Sequence, residues 1–193
     1  DKFYFFPVKM DKIKFDLNGM IFEVRSQKIW FCTNNGLISV DTKQQRIISL
    51  HPEGSSEFEN SICGIKRIKQ GPLFVCLRSS IQVFDRKTNS FSPFRLFENG
   101  KEFKNWGIFD IRQDSKDVVW FSGFRGIVSY DPFTKKSHLH SFDAHSTPVS
   151  NFGWVGVLED KKGRYWSVNE EVGLCQFDPV TDKLRIFGGN RDY

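Results

Sequence analysis

Short apolar segments alternate with polar turns along almost the whole chain. The apolar segment at residues 108–111 is followed by a turn of four polar residues at 114–117, and the same succession recurs at residues 154–158 and 160–163. Segments of this length, rich in aromatic and β-branched residues, are typical of strands. No segment shows a convincing helical period, so the pattern predicts an all-β protein.

The succession of strands and turns repeats four times. Each unit contains one aromatic anchor, and successive anchors are 44, 46 and 46 positions apart: Trp30, Phe74, Trp120 and Trp166. An Asp follows the anchor after 11 positions in the first three units and after 12 in the fourth: Asp41, Asp85, Asp131 and Asp178. A period in the forties that is built from short strands indicates the blades of a β-propeller.

Each unit has room for four strands, so we predict four four-stranded blades. They cover approximately residues 20–50, 62–97, 106–142 and 152–187, and a leading strand at 3–8 resembles the outer strand of a preceding blade. Because radially stacked sheets bury both faces, we interpret the aromatic anchors as packing between blades. The Asp residues share one register, and we interpret them as turn caps whose side chains accept backbone N–H bonds.

Two of the units carry a distinctive series of residues. The third reads QDSKDVVWFSGFRGIVSYDPFTKK, and the fourth contains EDKKGRYW followed by GLCQFDPVTDKLRIF. Both series resemble the two-component regulator propeller repeat, with an acidic turn, a Trp anchor, a Gly-hydrophobic step and an aromatic-Asp-Pro-x-Thr turn. The first two units are degraded copies, since Ser80 replaces the loop Gly in the second. The resemblance covers the chain from Met20 onward.

The resemblance implies a place and a role for the chain. In this family, such repeats form the large periplasmic sensor region of hybrid two-component histidine kinases, which sense polysaccharide fragments. We therefore expect an extracytoplasmic, ligand-sensing segment that responds to an oligosaccharide and carries out no chemistry itself. The family usually closes seven blades, so we expect this chain to be part of a larger propeller. Closure with a second copy or a partner, or as a four-bladed ring, remains an alternative.

Composition and charge exclude several other functions. Lys and Arg number 28 against 23 Asp and Glu, which gives a net charge of +5, and the basic residues are scattered. Nucleic-acid binding needs a concentrated basic patch, so none is predicted for this segment. No apolar run approaches the length of about 18 residues that a membrane-spanning helix needs, so we predict no membrane contact. The four cysteines form no CxxC pair and are expected to be buried thiols.

The candidate ligand-binding residues lie in loops that share one face of a propeller. These loops join the second and third strands of each blade, or connect one blade to the next. Polar side chains beside aromatic rings suit sugars, and we expect the following residues to contribute: Asn34, Asn35, Arg78, Trp106, Arg125, Trp154 and Glu170. For Trp106 and Trp154, a core position at the start of an inner strand is the alternative.

Other candidate chemistry is weaker. His138 and His140 lie on one face of a predicted strand, and with Asp143 and His145 nearby a metal site is conceivable. That strand is an outer one and outer strands are usually solvated, so we predict no metal ligands and no cofactor. The chain has no GxSxG, HExxH or phosphate-binding loop, and we predict no catalytic residues.

Two alternative functions stay open at this point. A propeller can be a scaffold for protein–protein interaction, which a large apolar patch on one face would favour. Some propellers with a similar Trp-centred repeat are antibiotic-inactivating lyases, which would require a His, an acidic residue and a metal at the central mouth. Here His138, His140 and His145 are predicted on or beyond the outer strand.

Overall fold

The computed structural model describes residues 17–23, 26–44, 46–52, 61–69, 72–77, 80–104, 107–140, 142 and 153–187. These residues form four four-stranded antiparallel sheets and one short hairpin, with no helix among them. The described part of the chain accordingly contains no helix that is long and apolar enough to cross a membrane. The predicted all-β fold with four-stranded blades is confirmed. The predicted leading strand at residues 3–8 lies outside the described residues.

In every sheet the strands follow one another in chain order. Blade 1 contains β1 (Leu17–Glu23), β2 (Lys28–Thr33), β3 (Gly36–Asp41) and β4 (Arg46–Leu50). Blade 2 contains β5 (Ile62–Arg67), β6 (Leu73–Leu77), β7 (Ile81–Asp85) and β8 (Ser90–Phe94), and is followed by the hairpin of β9 (Phe97–Glu98) and β10 (Lys101–Glu102). Blade 3 contains β11 (Ile108–Gln113), β12 (Val119–Gly123), β13 (Gly126–Tyr130) and β14 (Ser137–His140). Blade 4 contains β15 (Trp154–Glu159), β16 (Tyr165–Asn169), β17 (Gly173–Phe177) and β18 (Leu184–Phe187).

The blades pack against one another chiefly through their first strands, in the order β1, β5, β11 and β15. Each first strand has a bulge in its pairing with the second strand, which bends the strand and increases its twist. In the two middle blades, the second strands β6 and β12 are buried along their whole length. A strand with a neighbouring blade on each face has no solvent-exposed side. This explains the unbroken apolar sequence of β6 and the burial of Ser122 in β12, whose Oγ accepts the Gly156 N–H of blade 4.

The aromatic anchors occupy the spaces between blades. The ring of Trp30 lies 5.2 Å from that of Phe84 in blade 2, and Phe74 lies 5.8 Å from Phe121 in blade 3. Trp120 follows the same rule, since its ring packs on Tyr165 and Phe177 of blade 4. Each of these three anchors thus packs on the next blade along the chain, as the repeat predicted.

A buried carboxylate joins blades 3 and 4. Asp114 Oδ2 accepts hydrogen bonds from Trp120 Nε1 and from the hydroxyl of Tyr165, both at 2.8 Å. Asp114 Oδ1 accepts two backbone N–H groups of its own turn. Burial and the hydrogen bond to Asp114 raise the pKa of Tyr165 well above its ordinary value, which keeps the hydroxyl a donor. The joint therefore combines ring packing with a fully hydrogen-bonded carboxylate.

The two end sheets differ from the middle ones. On the face of blade 4 that points away from blade 3, Val155, Leu158, Val168 and Leu174 are exposed by 43–65%. On blade 1, Met20 and Phe22 are exposed by 72% and 53%. In the middle blades, Lys66 and Arg112 occupy the position that Leu158 has in blade 4, so the apolar surface of the end sheets is not simply a copy of the repeat. Each end sheet presents apolar side chains to solvent, whereas the middle sheets are covered on both faces.

Candidate functional site

The loops between second and third strands meet the connections between blades at one end of the sheets, which we call the loop face. In blade 3, the Phe124 N–H in the β12–β13 turn donates to the carbonyl of Gly107, which precedes β11. In blade 4, the Glu170 N–H in the β16–β17 turn donates likewise to the carbonyl of Gly153. The loop face is where the sequence places all of its candidate ligand-binding residues.

A cavity of about 290 Å³ opens where the β9–β10 hairpin meets blade 3, and we call it the hairpin cavity. Its lining includes Arg125 from the β12–β13 turn, Leu139 from β14, and Phe103 from the segment that follows the hairpin. A smaller cavity of about 180 Å³ lies on the blade 2 side and shares Phe103 with the first. The hairpin thus forms a wall between two concave surfaces.

The hairpin is fixed along the free edge of β14. Ser137 Oγ donates to the carbonyl of Phe97 at 2.6 Å and accepts the Phe97 N–H at 3.1 Å. The Leu139 N–H donates to Glu98 Oε1 at 3.2 Å. The turn between the two strands is Asn99–Gly100, with φ values of 49° and 78°. An Asn-Gly pair at positive φ is the preferred two-residue hairpin turn, and it is a signal that the sequence analysis missed.

The hairpin cavity carries more positive than negative groups that are free to meet a ligand. Glu102 is paired with Arg95 and with Lys104, each at 3.6 Å. Among the described residues, neither Lys101 nor Arg125 forms a hydrogen bond or ion pair with another side chain. The rings and methyl groups of Phe103 and Leu139 supply the apolar part of the wall. An anionic or polar ligand with an apolar face suits this lining.

The structure separates the seven predicted ligand-binding residues. Arg125 lies in the hairpin cavity, whereas Asn34 and Asn35 lie in the β2–β3 turn of blade 1, half-buried. Glu170 is exposed, and its Oε2 accepts the Gly153 N–H at 3.2 Å. Arg78 and Trp106 lie outside the described residues.

Trp154 is placed differently from the expectation of a ligand contact. Its side chain is 2% exposed and packs at 5.0 Å on Phe142, within the apolar cluster that joins blades 3 and 4. The first position of β15 faces blade 3, so a large ring there is needed to fill the space between sheets. Trp154 therefore has the core position that the sequence left as the alternative.

The repeated Asp residues are turn caps, as predicted. Asp41 Oδ1 accepts the N–H groups of the residues two and three positions further on, and Asp131 Oδ1 does the same. The Thr134 hydroxyl and the Phe133 N–H hold the pKa of Asp131 below its ordinary range, and backbone N–H groups chiefly do the same for the pKa values of Asp85 and Asp178. Because each of these carboxylates is bound to its own turn, they are not arranged as an acid and base pair.

The predicted pair of imidazoles meets a carboxylate from the next blade. His138 and His140 lie on β14, the outermost strand of blade 3, and both contact Asp182 in the β17–β18 turn. Burial lowers the pKa of His140, whereas the carboxylates of Glu98 and Asp182 outweigh burial and raise that of His138. Asp143 and His145, the other candidates of the sequence, lie outside the described residues.

Comparisons with known proteins identify the fold. No family model matches the chain, and no curated protein matches its sequence. Similar solved structures include the extracellular domains of two hybrid two-component systems from B. thetaiotaomicron. One has a TM-score of 0.71 at 16% identity, over 95% of this chain and 23% of that one. The other has a TM-score of 0.70 at 18% identity, over 89% and 24%.

A catalytically inactive virginiamycin B lyase from Staphylococcus aureus, solved with quinupristin, is also similar. Its TM-score is 0.62 at 15% identity, over 94% of this chain and 57% of the lyase. At these identities the comparisons show a shared propeller fold, in agreement with the repeat resemblance in the sequence. The chain spans about a quarter of the length of the two-component domains that it matches.

Proposed function

We propose that this chain is a ligand-sensing segment of a periplasmic propeller, in a hybrid two-component receptor that responds to an oligosaccharide. The observation that carries the proposal is the hairpin cavity on the loop face, with Arg125 and Lys101 facing it. The repeat resemblance and the fold shared with extracellular two-component domains support the receptor context. The segment itself acts by binding and not by chemistry.

The charge of the hairpin cavity favours an acidic sugar. A guanidinium binds a carboxylate or sulfate through two parallel hydrogen bonds, and Arg125 has no such partner among the described residues. Lys101 adds a second cation on the facing hairpin. The apolar surface of Phe103 can cover the C–H face of a sugar ring. The ligand class that fits is an oligosaccharide with uronate or sulfate groups.

The exposed end faces support a larger propeller. Trp166 and Asp160 of blade 4 are placed as Trp120 and Asp114 are in blade 3, with Trp166 Nε1 donating to Asp160 Oδ2 at 3.0 Å. In blade 3, Asp114 Oδ2 also accepts a hydrogen bond from the Tyr165 hydroxyl of the next blade. At Asp160 Oδ2 the Arg164 guanidinium, at 2.6 Å, takes the corresponding place, and a following blade in a ring of about seven would pack on the exposed apolar face of blade 4. A second copy of the chain is the alternative occupant.

Isothermal titration of the purified chain with acidic and neutral oligosaccharides tests the ligand. We expect acidic oligosaccharides to bind, and Arg125→Ala and Lys101→Ala each to weaken the binding by about tenfold, since a charge-assisted hydrogen bond contributes roughly 1.5 kcal/mol or more. Lys136→Ala is the control, because this exposed lysine lies in the β13–β14 turn at the opposite end of the sheet. A chain that binds no saccharide refutes the ligand class. Binding that survives both variants refutes the location.

A further inference from the structure

Three side chains from two blades converge on one point at the outer edge of the propeller. His140 Nδ1 lies 2.6 Å from Asp182 Oδ1, and His138 Nε2 lies 3.2 Å from Asp182 Oδ2. One nitrogen from each ring and one carboxylate oxygen all lie within 4.8 Å of one another. The imidazoles come from alternate positions of β14, which places them on one face of the strand. The carboxylate comes from the β17–β18 turn of blade 4.

The two remaining ring nitrogens are held by other groups. His138 Nδ1 lies 2.6 Å from Glu98 Oε1, and His140 Nε2 lies 2.9 Å from Ser129 Oγ. Histidines that ligate metals commonly use the second nitrogen in this way, because a carboxylate or hydroxyl partner fixes the tautomer and the ring orientation. Glu98 and Ser129 therefore direct His138 Nε2 and His140 Nδ1 towards the carboxylate.

We propose that His138, His140 and Asp182 form a binding site for a divalent transition metal ion of the Zn²⁺ class. Two imidazole nitrogens and one carboxylate oxygen are a ligand set that Zn²⁺ takes, with water completing the tetrahedron. Metal–ligand bonds of about 2.0–2.1 Å in tetrahedral geometry separate ligand atoms by about 3.4 Å. Small side-chain rotations bring the three atoms to that spacing around an ion. The ion then takes the place of the hydrogen-bond protons between the imidazoles and the Asp182 carboxylate.

The burial and backbone conformation of these residues fit a metal site that is preorganised and still accessible to solvent. The His140 side chain is 1% exposed, Asp182 is 24% exposed and His138 is 51% exposed. One ligand is thus fixed in the space between blades, while another faces the solvent from which an ion enters. Asp182 has a φ of 53°, which Asp and Asn tolerate better than most residues. The turn therefore aims its carboxylate back at the neighbouring blade.

An ion at this site would join three parts of the protein. His138 and His140 belong to blade 3 and Asp182 to blade 4, while Glu98 belongs to the hairpin that lines the hairpin cavity. Metal binding would hold blade 4 against blade 3 and fix the Glu98 side of that cavity. The metal site is independent of the proposed ligand, because none of His138, His140 and Asp182 lines the hairpin cavity.

Titration of the metal-free, untagged chain with ZnCl₂ by calorimetry, paired with thermal unfolding, tests the site. We expect one Zn²⁺ per chain and an unfolding midpoint that rises with Zn²⁺ concentration. Asp182→Asn keeps the shape and the tolerated backbone conformation, and we expect it to weaken binding by at least about 100-fold, as should His138→Gln. Glu98→Gln should weaken binding by roughly tenfold, as expected for a group that orients a ligand. His51→Gln is the control, since this exposed histidine is hydrogen-bonded to Ser49 in blade 1.

Circular dichroism of each variant shows whether it remains folded, and Asp182→Asn and His138→Gln provide two independent tests. An excess of Mg²⁺ should leave Zn²⁺ binding unchanged, because Mg²⁺ prefers oxygen ligands. Wild-type protein that takes up no Zn²⁺ overturns the proposal. So does folded Asp182→Asn or His138→Gln protein that binds Zn²⁺ as tightly as the wild type.

Discussion

Replacing Trp120 by Ala tests the joint between blades 3 and 4. The side chain is 3% exposed, and its ring lies 5.0 Å from Tyr165 and 5.7 Å from Phe177. Burial of roughly 200 Å² at about 25 cal/mol per Å² gives a contribution near 5 kcal/mol as an upper value. Measured truncations of large buried aromatic side chains cost about 3–5 kcal/mol. We expect Trp120→Ala to lower the free energy of unfolding by that amount.

A second variant separates the ring from its N–H group. Trp120→Phe keeps an aromatic ring but removes the donor to Asp114, whose Oδ2 retains the Tyr165 hydroxyl. We expect this variant to cost about 1–2 kcal/mol, mostly for the lost hydrogen bond. Phe133→Ala is the control, because Phe133 is 79% exposed in the β13–β14 turn, and a surface change of this kind stays within about 0.5 kcal/mol.

Urea unfolding followed by far-ultraviolet circular dichroism measures these differences by linear extrapolation. The signal reports mainly on the strands, and fitting the baselines of each variant separately keeps the loss of one indole chromophore out of the extrapolated free energy. A cost below about 1 kcal/mol for Trp120→Ala would refute the packing of anchors between blades. A cost for Trp120→Phe as large as that for Trp120→Ala would show that the carboxylate, and not ring packing, holds the joint.

Three further predictions concern charge, backbone space and thiols. Burial raises the pKa of Glu23, but the Ser26 hydroxyl and the Arg86 guanidinium outweigh it and hold the pKa below its ordinary value of 4.5. A lowered carboxyl pKa stabilises the fold above the unfolded-state pKa, and that stability is lost as the pH falls through the folded-state pKa. The gap in unfolding free energy between wild type and Glu23→Gln should therefore be constant near neutral pH and shrink below about pH 4.5; a gap that does not change with pH contradicts this. A Cβ at Gly123 would lie 2.4 Å from the carbonyl oxygen of Gly107, so Gly123→Ala should cost about 1–3 kcal/mol in urea unfolding. Gly19→Ala, with nothing within 4 Å, should cost little, and equal costs would refute the close approach. Burial raises the pKa of the Cys32 thiol to about 12 and that of the Cys175 thiol to about 11. Burial also raises the pKa of the Cys76 thiol well above the ordinary value of 9.0. These three should react with a thiol reagent only after unfolding, and rapid labelling of all four cysteines in the native protein would contradict their burial.

The repeat made the architecture predictable. A spacing of 44–46 residues between anchors is the spacing of one blade, so residues one period apart in the sequence lie on neighbouring blades. Many contacts between blades obey that rule: Ser115 with Glu159, and Lys69 with Gln113, are each 44 residues apart. The packing of the anchors followed from the same reasoning, because the apolar face of each unit needs the next unit to cover it.

The site was less predictable because it depends on the connection between two blades and not on the repeated strands. The β9–β10 hairpin lies in the connection between blades 2 and 3, and only its Asn99–Gly100 turn indicates it in the sequence. Trp154 lies beside a loop in the sequence but faces inward, since the first position of β15 faces blade 3. Asp182 lies 42 residues from His140, and looking one period ahead of the imidazoles would have found it. Alternation in the sequence predicts which face of a strand a side chain occupies, whereas the cavity depends on how the hairpin packs along β14.

The Asp114 joint has a consequence for how such a molecule can change its size. Its acceptor and its indole belong to one unit, and its hydroxyl comes from the next unit at the residue just before the anchor. Both halves of the connection occur together only in unit 4, which carries Asp160, Trp166 and Tyr165, because Leu73 and Val119 precede the anchors of units 2 and 3. Gene duplication of unit 4 could therefore lengthen the array without a new kind of contact, whereas loss of unit 3 would remove the acceptor that Tyr165 uses.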